Sequence, residues 1–220
     1  MAKKRGRPPR ARAAPASVEE RILDSACGLF YREGLHAVGI DRVLAQAGAA
    51  KASLYAHYSS KDDLVAAYLE HRGEQWRARA SEALAGLDGR AGLVRLFEML
   101  EDWVASPEFR GCPFMNAASE LPDPDHPARE ATRRHREWLH GLVRGLVEAA
   151  GVGDVDRVRR TIVVLYDGAV SSALLDGDSR AVGAARLAME SLLDAARRPA
   201  PGASKGQARP RAAGALARSR

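Results

Sequence analysis

At 220 residues and 46% hydrophobic, the chain is long enough for one or two helical domains around a substantial core. It has no apolar run of about 18 residues, hence no membrane span, and its basic N-terminus lacks the apolar stretch of a secretory signal. The two cysteines, Cys27 and Cys112, form no C-x-x-C pair, so neither a metal site nor a disulfide framework is expected, and no cofactor.

The net charge of +6 is unevenly placed. Residues 1–16 carry six basic groups and residues 197–220 seven, with no acid in either, which leaves the body with 21 basic against 28 acidic groups, a net −7. Basic arms on an acidic body suit contact with a phosphate backbone. For the C-terminal arm, 198–220, a solubilising tail is an equal reading. The first arm is rich in Lys, Arg, Pro and Ala and is expected to be disordered in the free chain. Its K-R-G-R-P-P-R is similar to an AT-hook, in which arginines enter the narrow minor groove of A·T-rich DNA; Arg5 and Arg7 are the expected readers.

Ser17 with Glu20 makes a capping box that starts the first helix. Val18, Ile22, Leu23, Ala26, Leu29 and Phe30 form its buried stripe, Cys27 is packed beside them, and Gly34 stops it. Ile40, Val43, Leu44 and Ala47 give a short second helix one apolar face, and Gly48 ends it in a left-handed conformation. A third helix begins near Lys51, turning Leu54 inward and offering Ser53, Tyr55, His57 and Tyr58. Two short helices on a tight glycine turn make a helix-turn-helix, whose second member fits a DNA major groove. An ordinary helical hairpin in an all-α core is the alternative.

Across about 47 residues, Val18 to Leu64, the features R-I-L-D-S-A-C-G-L-F, E-G-L, A-G and L-Y-A-H-Y-S-S-K-D-D-L follow in the order found in the tetracycline-repressor-like (TetR/AcrR) family of bacterial transcription regulators, and the segment resembles its DNA-binding domain. The resemblance implies DNA contacts residue by residue. Tyr55, His57 and Lys61 match phosphate contacts, and Tyr58 stands where the family has Phe, its ring expected against the core. Gly39 stands where a Thr or Ser commonly caps the second helix, and Ala50 and Ala52 stand where Ser and Gly are common. Both departures remove a hydroxyl that caps a helix and binds phosphate. Ala49 to Ser53 open the groove-facing helix. Lys51 can donate to guanine or phosphate, and the alanine methyls can meet thymine methyls.

A long amphipathic helix is expected from Asp62 to about Ala85, with Leu64, Val65, Tyr68 and Leu69 opening its apolar side. In the family this helix links the head to the regulatory domain. Arg90 to Ala105 is the next helix, with Trp103 beside its apolar face. A less regular stretch follows, in which G-C-P-F-M-N-A-A-S-E resembles a cavity-walling segment of one group of these regulators. Cys112, between Gly111 and Pro113, is either a reactive sensor thiol or a buried inert one. Asp123 to Pro127 form a turn; the carboxylates beside His126 are explained by it, without a metal.

Residues 128–150 form a helix with a basic first half, where Arg129, Arg133, Arg134 and Arg136 read as a solvated face, and an apolar second half. Gly151-Val152-Gly153 breaks the chain without a phosphate-loop pattern. The last helices run from about Val155 to Leu175 and from Arg180 to Arg197. The first is apolar on more than one side (Val158, Ile162 and Leu165; Val163, Val170 and Leu174), which calls for cover by a partner subunit. Trp103, Cys112, Met115, Trp138 and Tyr166 are candidate lining of a ligand cavity; a place in the core is the competing reading.

The expected fold is all-α. A three-helix helix-turn-helix head at 17–62 follows the arm at 1–16, and a C-terminal helical ligand-binding and dimerisation domain fills 63–197. The resemblance implies a homodimeric, ligand-responsive transcriptional regulator and repressor, dimerised through about 155–197. It would bind a near-palindromic double-stranded DNA operator, be released by a small-molecule effector, and sit in the cytoplasm with the nucleoid. An architectural DNA protein without effector control is one alternative. A helical-bundle enzyme is another, although no nucleophile–base pair, metal cluster or cofactor loop stands at recognisable spacing, so no catalytic residue is assigned.

Overall fold

Caps written into the sequence set most helix boundaries. The computed structural model describes residues 16–197, so Arg5, Arg7, the rest of the first arm to residue 15, and the tail at 198–220 lie outside the described residues. α1 (Val18–Glu33) opens on both halves of its capping box: the Glu20 N–H donates to Ser17 Oγ at 3.1 Å, and the Ser17 N–H donates to Glu20 Oε2 at 2.6 Å. α2 (Ile40–Ala47) ends at Gly48, whose φ of 58° and ψ of 44° are left-handed, a conformation that costs a residue with a Cβ about 1–2 kcal/mol. α3 (Lys51–His57) follows after a three-residue link, Gly48 to Ala50.

α4 (Lys61–Ala83) is capped by Ser60, which accepts from the Asp63 N–H at 3.0 Å, and α5 (Gly89–Val104) by Asp88, which accepts from the Ala91 N–H at 2.9 Å. The stretch expected to be less regular contains a further two-turn helix, α6 (Pro113–Glu120), before α7 (Pro127–Ala149). Proline stands at the start of both, where its missing N–H costs no intrahelical bond. α8 (Val155–Asp176) and α9 (Arg180–Ala196) complete nine helices among the described residues, without a strand.

Two apolar clusters organise these helices. The first joins α1, α2 and α3 to Leu64, Val65, Tyr68 and Leu69 of α4, and extends to Phe114 and Ala117 of α6 and Ala128 and Ala131 of α7. Tyr58 is buried in it, and Cys27 packs against it from a half-buried position. The second cluster is formed by α5, α7, α8 and α9. Where α5 meets the end of α7 the backbones nearly touch: a Cβ on Gly89 would lie 2.3 Å from the Ala150 nitrogen.

The basic half of α7 is more than a solvated face. Arg134 reaches Glu70 on α4 at 2.9 Å, and Arg136 reaches Asp167 on α8 at 2.8 Å, so two of its four arginines tie neighbouring helices together. No helix among the described residues is long and apolar enough to cross a membrane.

Candidate nucleic-acid interface and effector cavity

α3 is seated on the head by Leu54 alone; Lys51, Ala52, Tyr55 and His57 are exposed and Ser53 is half-buried. Tyr58, one residue past the helix, adds a second anchor. Two arginine contacts hold α2 of this pair to α1. Arg21 on α1 donates through Nε to the Ala47 carbonyl at 3.1 Å, satisfying a free carbonyl at the end of α2, and Arg42 grips Glu33 with both guanidinium nitrogens.

Two exposed side chains of α3 face weak internal partners. Lys51 Nζ stands 3.4 Å from Asp41, and His57 Nδ1 stands 3.5 Å from Glu19. Solvent-exposed pairs of this kind contribute about 0–1 kcal/mol and exchange readily for a phosphate. Gly39 and Ala50 are the N-caps of α2 and α3, and neither supplies a side-chain cap, so first-turn N–H groups of both helices have no side-chain acceptor there. Lys61 is the first residue of α4 and half-buried.

Behind the head, α6 connects it to the body. Glu120, at the last position of α6, accepts through Oε2 from the Leu35 N–H at 2.7 Å and the His36 N–H at 3.2 Å, and its carbonyl accepts from His36 Nε2 at 2.8 Å. Tyr31 on α1 is held the same way: its hydroxyl donates to the Gly111 carbonyl at 3.0 Å and accepts from the Arg110 N–H at 2.9 Å. The Arg72 guanidinium lies over the Tyr31 ring, 4.8 Å from its centroid.

Next to this link is a cavity in two lobes. The outer lobe, about 630 Å³, is bordered by charged side chains of α4 and α5. The inner lobe, about 50 Å³, is lined by Trp103, Cys112, Met115 and Tyr166, four of the five candidate cavity residues. Trp138 is not among its lining residues; its ring lies 5.7 Å from that of His135. A further pocket of about 260 Å³ adjoins Cys112, Met115 and Tyr166 from the α7 side.

His135 is a wall residue that sequence reasoning missed. It is 7% exposed, its ring stacks on Phe114 at 3.8 Å and 6°, and its Nδ1 has no hydrogen-bond partner. Burial, with Arg136 and Arg77 behind it, lowers its pKa to about 4, so the ring is neutral at pH 7. Its position in the stripe Ala131, His135, Leu139, Val143, at steps of four, was the available signal. The same holds for Arg72, Trp76 and Arg79, which line the cavity from α4 at steps of four and three.

Cys112 caps α6 and contributes to the inner wall, where burial pushes its thiol up, against the pull of the Met115 and Phe114 N–H groups. A protonated thiol is a poorer nucleophile than a thiolate. His126 caps α7, its Nδ1 accepting from the Ala128 N–H at 3.1 Å, and no group of three metal-binding side chains occurs among the described residues.

One more surface stands out. Val164 and Leu175 on α8 and Leu187 on α9 are 69%, 84% and 64% exposed. Val164, Gly168, Ser171 and Leu175 lie on one stripe of α8, and Ala184, Leu187, Ala188 and Ser191 on one stripe of α9.

Comparison with known proteins agrees with this geometry. The family model described as bacterial regulatory proteins, tetR family, matches residues 22–68, and the one described as tetracyclin repressor-like, C-terminal domain, matches residues 89–189. The crystal structure of SCO4454, a TetR-family transcriptional regulator from Streptomyces coelicolor, is similar with a TM-score of 0.77 and 35% identity, covering 82% of this chain and 96% of that one. The HTH-type transcriptional regulator LmrA of Bacillus subtilis is 26% identical over 123 residues, 54% of this chain and 65% of its own length. The HTH-type transcriptional repressor SCO4008 of Streptomyces coelicolor is 38% identical over 58 residues, 26% of this chain and 30% of its own. The chain thus spans just under two thirds of the first of these curated relatives and under a third of the second.

Proposed function

We propose that this chain, which belongs to the TetR family of bacterial transcriptional regulators, acts as a homodimeric, ligand-responsive repressor. Members of this family are DNA-binding regulators rather than enzymes. In the proposal two copies of α3 enter successive major grooves of a near-palindromic operator in the cytoplasm. The observation that carries it is the seating of α3: one buried leucine, with Lys51, Ala52, Tyr55 and His57 turned outward. Tyr55, His57 and Lys61 then hold phosphates, and Lys51, Ala52 and Ser53 face base edges. Gly39 and Ala50 leave helix-start N–H groups for backbone oxygens. Arg5 and Arg7 reach the flanking minor groove.

The exposed apolar stripes on α8 and α9 support a two-fold partner, because small residues among the leucines and valine allow close helix approach. Direction of control rests on weaker support, the repressor named among the partial relatives.

The cavity supports control by a small molecule. Its α4 wall, Arg72, Gln75, Trp76 and Arg79, belongs to the helix whose first half shares the head's core, so a ligand that displaces α4 also displaces α3. Tenfold release needs a coupling of only about 1.4 kcal/mol.

The test uses genomic fragments retained by the purified protein. A Val164→Arg, Leu187→Arg double variant should elute as a monomer and bind the retained fragment at least tenfold more weakly. A monomeric variant that binds with unchanged affinity refutes the dimeric reading.

A further inference from the structure

The two lobes of the cavity share four side chains, Arg72, Trp76, Arg79 and Trp103. The throat is therefore two guanidinium groups and two indoles, with no acid. Trp76 and Trp103 lie 5.7 Å apart, their rings tilted by 47°, so two aromatic groups stand side by side at the throat. Neither Arg72 nor Arg79 makes an ion pair among the described residues, whereas Arg77 on the same helix is held by Glu70 at 3.0 Å.

The acids nearby are placed elsewhere. Asp167 in the inner lobe is neutralised by Arg136 at 2.8 Å. Asp102 of the outer lobe stands 3.8 Å from Arg95, and Glu82 and Glu108 border only that outer lobe. The throat thus has an excess of positive charge beside an apolar surface. A cation entering it meets two like charges, while an anion gains charge-assisted hydrogen bonds from the half-buried Arg72 and the exposed Arg79. Inward of the throat, the 50 Å³ lobe admits only a small substituent, and His135 with its unpartnered Nδ1 is part of that wall.

We propose that the effector is an organic anion with a flat aromatic body, of the aromatic carboxylate class. Its acid group is held by Arg72 and Arg79, and its ring lies against Trp76 and Trp103. This rests on reading the cavity as the effector site. Both arginines are on α4, so the charge that selects the ligand also pulls on the helix that carries the head.

The experiment titrates the full-length protein calorimetrically with three probes of one shape: 2-naphthoate, 2-naphthalenemethanol and 2-naphthylmethylammonium. Naphthoate should bind at least about tenfold more tightly than the ammonium, with the alcohol between them. Arg72→Gln and Arg79→Gln should each weaken naphthoate about tenfold and leave the alcohol unchanged, and Arg79→Lys should keep part of the preference. The probe comparison on the unaltered protein needs no variant to fold. An ammonium that binds as tightly as naphthoate, naphthoate indifferent to both arginine replacements, or no saturable binding of naphthoate overturns the assignment. Release of DNA is measured separately. Naphthoate that binds as described and leaves DNA affinity unchanged keeps the ligand class and refutes effector release; DNA release by the ammonium probe does the opposite.

Discussion

Replacing Glu120 with alanine removes the carboxylate that ties α6 to the loop between α1 and α2. Two backbone donors are lost at once, Leu35 N–H at 2.7 Å and His36 N–H at 3.2 Å. The His36 donor is exposed and rehydrates. The Leu35 donor is partly buried on a residue that is itself in the core, so it keeps most of its desolvation cost. A bond to a charged acceptor contributes about 1.5–3 kcal/mol, and one such bond with one weak companion comes to about 2 kcal/mol. For a chain of this size that lowers the melting temperature by about 4–8 °C. Glu120→Gln keeps an acceptor oxygen and should lose about half as much. Thermal unfolding followed by circular dichroism at 222 nm reads both. The first turn of α6 borders the cavity and its last residue holds the head, so the alanine variant should also bind the probe ligand normally while releasing DNA less completely. An alanine variant melting within about 1 °C of the unaltered protein would refute the clamp.

Lys61→Ala should weaken binding to all DNA sequences alike and reduce the slope of log affinity against log salt by about one, seen in mobility shifts across a salt series; an unchanged slope removes Lys61 from the phosphate contacts. Gly89→Ala forces a Cβ to within 2.3 Å of the Ala150 nitrogen, a backbone atom that cannot rotate away, and should cost about 3 kcal/mol in urea unfolding. A neutral Gly89→Ala would mean that α5 and α7 separate freely. His135 binds a proton in the folded chain only near pH 4, whereas in the unfolded chain it does so near its ordinary value of 6.5. The unfolded state therefore takes up protons first, and stability falls as pH drops from 6.5 toward 4. Between pH 7 and pH 5 this amounts to about 2 kcal/mol, which His135→Phe should abolish while keeping the stack on Phe114. The same pH dependence in the variant would show that His135 is not its source.

The head was legible because its signals are local. The Ser17 box, the stripe of α1, the left-handed Gly48 and the single inward Leu54 each act within a few residues. α6 was hidden by its flanks: Gly111, Pro113 and the prolines after Leu121 read as breaks, although proline at a first turn starts a helix. Glu120 could not be found in the sequence because its partners lie 84 and 85 residues away. Arg134 and Arg136 read as solvated because nothing local says where α7 crosses α4 and α8. In the cavity, Trp103, Cys112, Met115 and Tyr166 come together while Trp138 does not line the inner lobe with them. The step spacing of Arg72, Trp76 and Arg79 was visible, but a long helix with mixed polarity does not announce which polar stripe turns inward.

The proposed function requires two copies of α3 in symmetry-related major grooves. A hydroxyl-radical footprint of the protein on a retained genomic fragment tests it most directly. Two short protected half-sites related by a dyad are expected, their centres about one helical turn (roughly 10 base pairs) or a multiple of it apart. A single asymmetric patch, or broad protection that follows A·T content alone, would contradict it.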